Sequence, residues 1–211
     1  MAQFFSIHPD TPQSRLIRQA VEIIRAGGVA VYPTDCSYAI GCHIGDKAAM
    51  ERIRAIRQVD DRHHFTLVCR NLAEIAQYAK VDNQQYRLLK ACTPGSYTFI
   101  LQASREVPRR LQHPKRSTIG LRVPANPIVE ALLDELNEPL LSSTLILPGE
   151  SLPMNDPYEI RTFLEHSVDV ILDGGYCDVE MTTVVDLTSD VPELVRRGKG
   201  DLAVLGLEPA L

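Results

Sequence analysis

No apolar run in this chain approaches the roughly 20 residues that a bilayer-spanning helix needs; stretches such as Val184-Val185 or Ile100-Leu101 are far shorter. A membrane span is not expected. The opening MAQFFSIHPD has neither a basic leader nor a sustained apolar stretch, which argues against a secretory signal and for a cytoplasmic protein. Paired cysteine motifs are missing too. Cys36, Cys42, Cys69, Cys92 and Cys177 form no CxxC pair and are odd in number, so reduced, mostly buried thiols fit better than a disulfide framework. GxxxxGK[ST] and GxGxxG are absent, which removes the P-loop and the Rossmann phosphate turn, and HExxH and GxSxG are absent as well. There is no internal repeat, no low-complexity tract and no linker rich enough in Gly, Ser or Pro to divide two domains. One domain over residues 1–211 is the expectation.

What is present begins with a core: 211 residues, 45% of them hydrophobic, suffice for one α/β domain. The formal charge of −5 excludes a surface coated with positive potential. The charge is nevertheless segregated. REVPRRLQHPKR, residues 105–116, holds five Lys/Arg and one acid, a local +4 that leaves −9 for the rest of the chain. That segment reads either as a solvated loop or as a contact surface for phosphate or nucleic acid, carried by Arg105, Arg109, Arg110, Lys115 and Arg116.

Periodicity gives the order of elements. Thr11-Pro12 predicts a capped helix through Leu16, Ile17, Ala20, Val21, Ile23 and Ile24, ended by Gly27-Gly28. A short strand at Val29–Val31, a loop and a helix capped by Asp46 follow. Phe65–Cys69 reads as a buried strand, Asn71 and Asn83 as caps of two helices ending near Cys92, and Tyr97–Gln102 and Ile119–Val123 as strands flanking the basic segment. Asn126-Pro127 opens a helix closed by Pro139, Leu140-Leu141 is apolar, and Asp156-Pro157 opens a helix reaching His166. Strands are expected at Val168–Leu172, Thr183–Leu187 and Leu194–Arg196, with no helices between the last of them. This interleaving predicts an α/β fold with a mixed sheet covered by helices. Residues 147–157 resemble an active-site lid.

In open α/β sheets the loops after buried strands face a crevice. Thr34, Asp35 and Ser37 follow Val29–Val31, although Pro-Thr-Asp is also good turn chemistry. Ser142, Ser143 and Thr144 follow Leu140-Leu141, and Thr182 and Thr183 precede Val184-Val185. Hydroxyls there can hold carboxylate, amide or phosphate groups. Arg57, Arg62, Arg122, Arg196 and Lys199 are the candidate anion partners, since guanidinium binds phosphate bidentately. Adjacent His63 and His64 have no supporting ligand spacing, and no metal site is expected. Cys36 lies in the strand-end stretch, but no basic residue beside it in sequence marks it as a nucleophile.

The stretch YPTDCSYAIG resembles the PTET-x-YGLG strand-loop of the YrdC/YciO family, whose best-known members make threonylcarbamoyl-AMP from threonine, bicarbonate and ATP for tRNA modification. TPGSYTFIL (93–101), GLRVPANP (120–127), ILDGG (171–175), TTVVD (182–186) and Arg196 with Gly198 continue the likeness in order, over about residues 14–200. The resemblance implies a single twisted, mixed-sheet domain with a large, basic concave cleft. It also implies nucleotide binding with Arg57, Arg62, Arg122, Thr144, Thr182 and Arg196 as phosphate or nucleotide contacts, Thr34 and Ser37 on a small substrate, and ATP with Mg²⁺ as cofactor. Two departures stand out: the family's KGRP segment corresponds to a stretch with Arg57 at the lysine but Val59 at the arginine, with His63-His64 at a later Lys-Pro, and its PSAN segment has Thr144 at the serine but Ile146 at the asparagine.

Three functions are therefore weighed. The first is binding of double-stranded RNA, tRNA or nucleotide in the basic cleft by a weakened or retasked relative, as a monomer or weak dimer. The second is the synthase reaction itself, and the third a scaffold with a vestigial cleft.

Overall fold

A computed structural model describes residues 1–207. In chain order the elements are β1 (Gln3–Ser6), α1 (Ser14–Arg25), β2 (Ala30–Tyr32), β3 (Ala39–His43), α2 (Lys47–Arg57), β4 (Thr66–Val68), α3 (Leu72–Tyr78), α4 (Asn83–Cys92), β5 (Tyr97–Gln102), β6 (Thr118–Arg122), α5 (Pro127–Leu136), β7 (Leu140–Thr144), α6 (Pro157–Leu164), β8 (Val170–Asp173), β9 (Thr183–Asp186) and β10 (Glu193–Arg196). All ten strands join one sheet in the order β1-β8-β2-β3-β7-β4-β6-β5-β9-β10. Pairs β1/β8, β2/β8, β4/β6 and β5/β9 are parallel, and the other five antiparallel. The mixed α/β sheet expected from the sequence is present, and no helix among the described residues is long and apolar enough to cross a membrane.

The pleat divides the core in two. Val31, Ile40, Leu67, Phe99, Leu101, Leu121, Leu141 and Val185 face one side, where Ala49, Met50 and Ile53 of α2, Ile75 of α3, Leu89 of α4 and Ile160 of α6 cover them. Ala30, Tyr32, Val68, Leu140, Val170 and Leu172 face the other, packed against Ile17, Ala20, Val21 and Ile24 of α1 and Leu132, Leu133 and Leu136 of α5. This second core takes nothing from β5, β6 or β9. Two helices therefore cover half of that face, and the other half is left as the floor of a cleft.

Local chemistry explains most helix ends. The carboxylate of Asp46 accepts the Ala49 N–H, and Asn126 caps α5 ahead of Pro127. Gly27 ends α1 with φ +90°, a conformation that disfavours any Cβ. Four expectations are corrected. Thr11 does not cap α1, whose cap is Gln13 without a side-chain bond; the Thr11 hydroxyl instead meets His8 Nδ1. Asp82 and not Asn83 caps α4, through a capping box with Gln85. The α6 helix stops at Leu164, short of His166. Ser142, Ser143 and Thr144 lie inside β7 and pair with β3, instead of following the strand. Strands β1 and β3 escape the sequence reading. β3, AIGCH, is buried throughout its first four residues and so lacks a period-two signature.

Candidate functional site

The bare half-face becomes a cleft of about 400 Å³. Its floor uses the polar positions of strands that are apolar on their other side: Thr98 and Ile100 of β5 alternate with buried Phe99 and Leu101, and Thr118, Gly120 and Arg122 of β6 alternate with Ile119 and Leu121. Thr66 contributes from β4, and Ser142 and Thr144 from neighbouring β7, whose Ser143 has the opposite parity. Among the described residues, four arginines line the cleft (Arg57, Arg116, Arg122 and Arg196) and no carboxylate does.

Those arginines are held differently. Arg122 forms an ion pair with Asp35, and Asp35 also accepts from Ser96 Oγ at 2.9 Å. Both members of that pair are almost fully buried, and Arg122 Nε has no hydrogen-bond partner. Arg116 pairs with Asp186 at 2.6 Å but is 54% exposed. Arg57, from the end of α2, and Arg196, from β10, have no acidic partner among the described residues. Arg196 donates to the Thr182 carbonyl at 3.0 and 3.1 Å and to Thr182 Oγ1 at 3.1 Å. Arg57 donates to Ser143 Oγ, to His63 Nε2 at 3.0 Å and to the Ile146 carbonyl at 3.4 Å. Burial lowers the pKa of both guanidinium groups, and Arg122 adds repulsion at Arg196. Each stays protonated, since an arginine does not lose its proton in a protein. Two half-buried positive charges thus face the cleft without a counterion of their own, which favours an anion there.

Neutral groups surround them. Burial, reinforced by Arg57 and Arg54, pushes the His63 pKa down to about 4, so the ring is uncharged at neutral pH. His64 is also lowered by burial and stacks on His113 at 5.0 Å between ring centres. Thr98 Oγ1 and Thr182 Oγ1 lie 2.9 Å apart. Thr34 Oγ1 is committed to its own turn, donating to the Ser37 carbonyl at 2.7 Å and accepting the N–H groups of Cys36 and Ser37. The Thr34 hydroxyl therefore shapes the β2–β3 loop, and Thr34, Ser37 and Thr144 all line the cleft.

Of the residues singled out in the sequence, Thr34, Ser37, Arg57, Arg116, Arg122, Thr144, Thr182 and Arg196 line this one cleft. Arg62 is exposed in the loop after α2 and does not line it. Arg105, Arg109, Arg110 and Lys115 are exposed outside it, and Arg110 turns back to donate to the Gly45 carbonyl at 2.9 Å. Lys199 bonds the Asp35 carbonyl at 2.8 Å and stands 3.3 Å from Asp178. Sequence reasoning missed Thr66, Thr98, Thr118 and His113. The threonines could have been found as the lone polar parity of otherwise apolar strands. No group of three or more His, Cys, Asp or Glu among the described residues has the geometry to hold a metal.

The Sua5/YciO/YrdC family profile, described as telomere recombination, matches residues 22–198. The chain belongs to that family. YciO of Escherichia coli K12 is 59% identical over 202 residues, covering 96% of this chain and 98% of that one. A threonylcarbamoyl-AMP synthase of Nitrosococcus oceani is 31% identical over 159 residues, 75% of this chain and 85% of its own. The crystal structure of E. coli YciO superposes with a TM-score of 0.94 at 58% identity, covering 97% of this chain and all of that one. The family fold also extends to P. abyssi Sua5 complexed with L-threonine, at TM-score 0.85 and 24% identity, over 92% of this chain and 57% of that one.

Proposed function

We propose that the cleft binds a nucleotide through its phosphate groups, and that the chain is a retasked relative of the threonylcarbamoyl-AMP synthases. The observation that carries this reading is the pair of half-buried guanidinium groups, Arg57 and Arg196, facing a cleft that no carboxylate among the described residues lines. Its volume of about 400 Å³ suits a small molecule. A double-stranded RNA, recognised across successive grooves, would need a wider surface. Duplex RNA or tRNA contact is assigned to the exposed basic segment, Arg105, Arg109, Arg110 and Lys115, as the secondary reading. With no carboxylate on the cleft wall, Mg²⁺ would arrive on the nucleotide phosphates and be held by them.

The synthase reaction is the alternative, supported by the likeness to the Nitrosococcus oceani enzyme. Two side chains weigh against it. Val59 offers no cation where the family motif has arginine, and Ile146 lines the cleft with hydrocarbon where the motif has asparagine. Losing an electrostatic contact to a developing charge costs on the order of 10² to 10³ in rate.

Titration calorimetry with AMP, ATP and a duplex RNA, each at low and physiological salt, tests the reading. AMP and ATP should release heat, and Arg57→Ala and Arg196→Ala should each weaken them by roughly 10- to 100-fold, the scale of a charge-assisted hydrogen bond. No heat with either nucleotide overturns it. Heat with RNA alone, falling steeply with salt, selects the secondary reading. Pyrophosphate release from ATP, bicarbonate and threonine at the wild-type protein would select the synthase.

A further inference from the structure

The contact between Ser143 and His63 is not explained by phosphate binding. Ser143 Oγ lies 2.8 Å from His63 Nε2, and Arg57 Nη1 touches both. In this triangle arginine can only donate, and the histidine tautomer that accepts from it sets the other directions. Arginine is a donor only, so His63 Nε2, which accepts from Arg57, carries no proton. The ring proton is then on Nδ1, and the single lone pair of Nε2 is shared between the Arg57 N–H and the Ser143 hydroxyl hydrogen. Ser143 Oγ in turn accepts from Arg57. The serine oxygen thus has a neutral base on its proton and a guanidinium on its lone pair, the two aids a weak hydroxyl nucleophile needs. Phe65 meets the imidazole edge-on at 5.4 Å and limits its rotation. Ser143, His63 and Arg57 all line the cleft.

We infer that Ser143 and His63 form a nucleophile–base pair that hydrolyses an acyl phosphate bound in the cleft. The phosphate half of this substrate class rests on the nucleotide-binding reading above, since Arg57 and Arg196 are the groups that would hold it. In the first step Ser143 Oγ bonds to the acyl carbon, its proton passes to His63 Nε2, and the bond from that carbon to the bridging oxygen breaks. The electron pair leaves on the phosphate oxygen. His63 gives its proton to solvent. Water then attacks the acyl-serine ester and loses one proton to His63 Nε2; the ester bond breaks, Ser143 Oγ takes that proton back, and the carboxylic acid departs and ionises. One acyl phosphate and one water become one carboxylate and one phosphate, with no oxidant or further reactant.

The test uses the full-length protein with acetyl phosphate as substrate and a fluorophosphonate ester as covalent probe. Hydrolysis above the spontaneous rate is expected, and peptide mapping should find the probe on Ser143. Ser143→Ala and His63→Gln should each lower the rate by at least about 100-fold, the scale of a lost nucleophile or general base. The labelling is done on the wild-type protein, where folding is not in question. Wild-type protein that binds AMP in the calorimeter but neither hydrolyses acetyl phosphate nor takes the label overturns the pair and leaves nucleotide binding standing. Hydrolysis that survives Ser143→Ala also overturns it. Labelling and Ser143-dependent hydrolysis without AMP binding would uphold the pair and remove the nucleotide.

Discussion

Asp35 and Arg122 have side chains only 9% and 11% exposed, so each is the other's buried counterion under the cleft. Asp35→Asn leaves the guanidinium buried and unpaired, and should cost about 3–5 kcal/mol, read as a lowered urea midpoint with an unchanged slope. His63 gives a second expectation. Its pKa is about 4 when folded against an ordinary 6.5, because burial and the charges of Arg57 and Arg54 oppose protonation, with His64 adding to them and Asp60 working the other way. In that window the unfolded chain binds a proton that the folded one does not. Its contribution to stability is therefore full above about pH 6.5 and declines as pH falls toward 4. Denaturation across that range should show a shallower decline in His63→Gln than in the wild type. At this scale the sequence was ambiguous. Pro33-Thr34-Asp35 reads equally as turn or ligand loop, and the structure divides the roles: Thr34 holds the turn, Asp35 supports Arg122, and Ser37 faces the cleft.

Among the elements, the approach of the last segment to β9 is the tightest constraint on the site. A Cβ at Gly198 would lie 2.2 Å from the Met181 carbonyl oxygen and 2.5 Å from Thr182 backbone atoms. Backbone cannot yield to that, so Gly198→Ala should push the chain off Thr182, the residue that anchors Arg196. We expect lower stability by calorimetric melting together with weaker AMP binding, whereas a purely local effect would leave the binding intact. Legibility here followed side-chain pattern. The α5 helix and β5 match their predicted spans because Asn126-Pro127 and the run YTFILQ are strong local signals. β1 and β3 were invisible, since parallel or centrally buried pairing leaves no alternation. The positions that depart from the family motifs, Val59, His63 and Ile146, were legible one by one; that His63 reaches across to Ser143 on β7 depends on a fold that joins residues 80 apart.

The whole molecule shows why the site was only partly readable. The composition implied one α/β domain, and the order of motifs implied the family fold, both of which the ten-stranded sheet bears out. The cleft itself exists because α1 and α5 cover only one half of a face, and no local signal says which strands stay bare. A net charge of −5 likewise conceals a cavity wall that, among the described residues, carries four arginines and no acid.

β10 is the outermost strand, with a register shift between Leu194 and Arg196, and its residues are largely exposed. One of the two cations without an acidic partner among the described residues therefore rides on an exposed margin of the sheet. On the nucleotide-binding proposal, occupancy and fraying would oppose each other: a bound phosphate would act as a clasp on the sheet margin, and each opening of the margin would release part of the clasp. Amide hydrogen exchange at residues 193–196 should slow on adding AMP while that of β1, at the far margin, does not change. Equal protection at both margins would mean that the ligand tightens the fold generally and that the strand is not its latch.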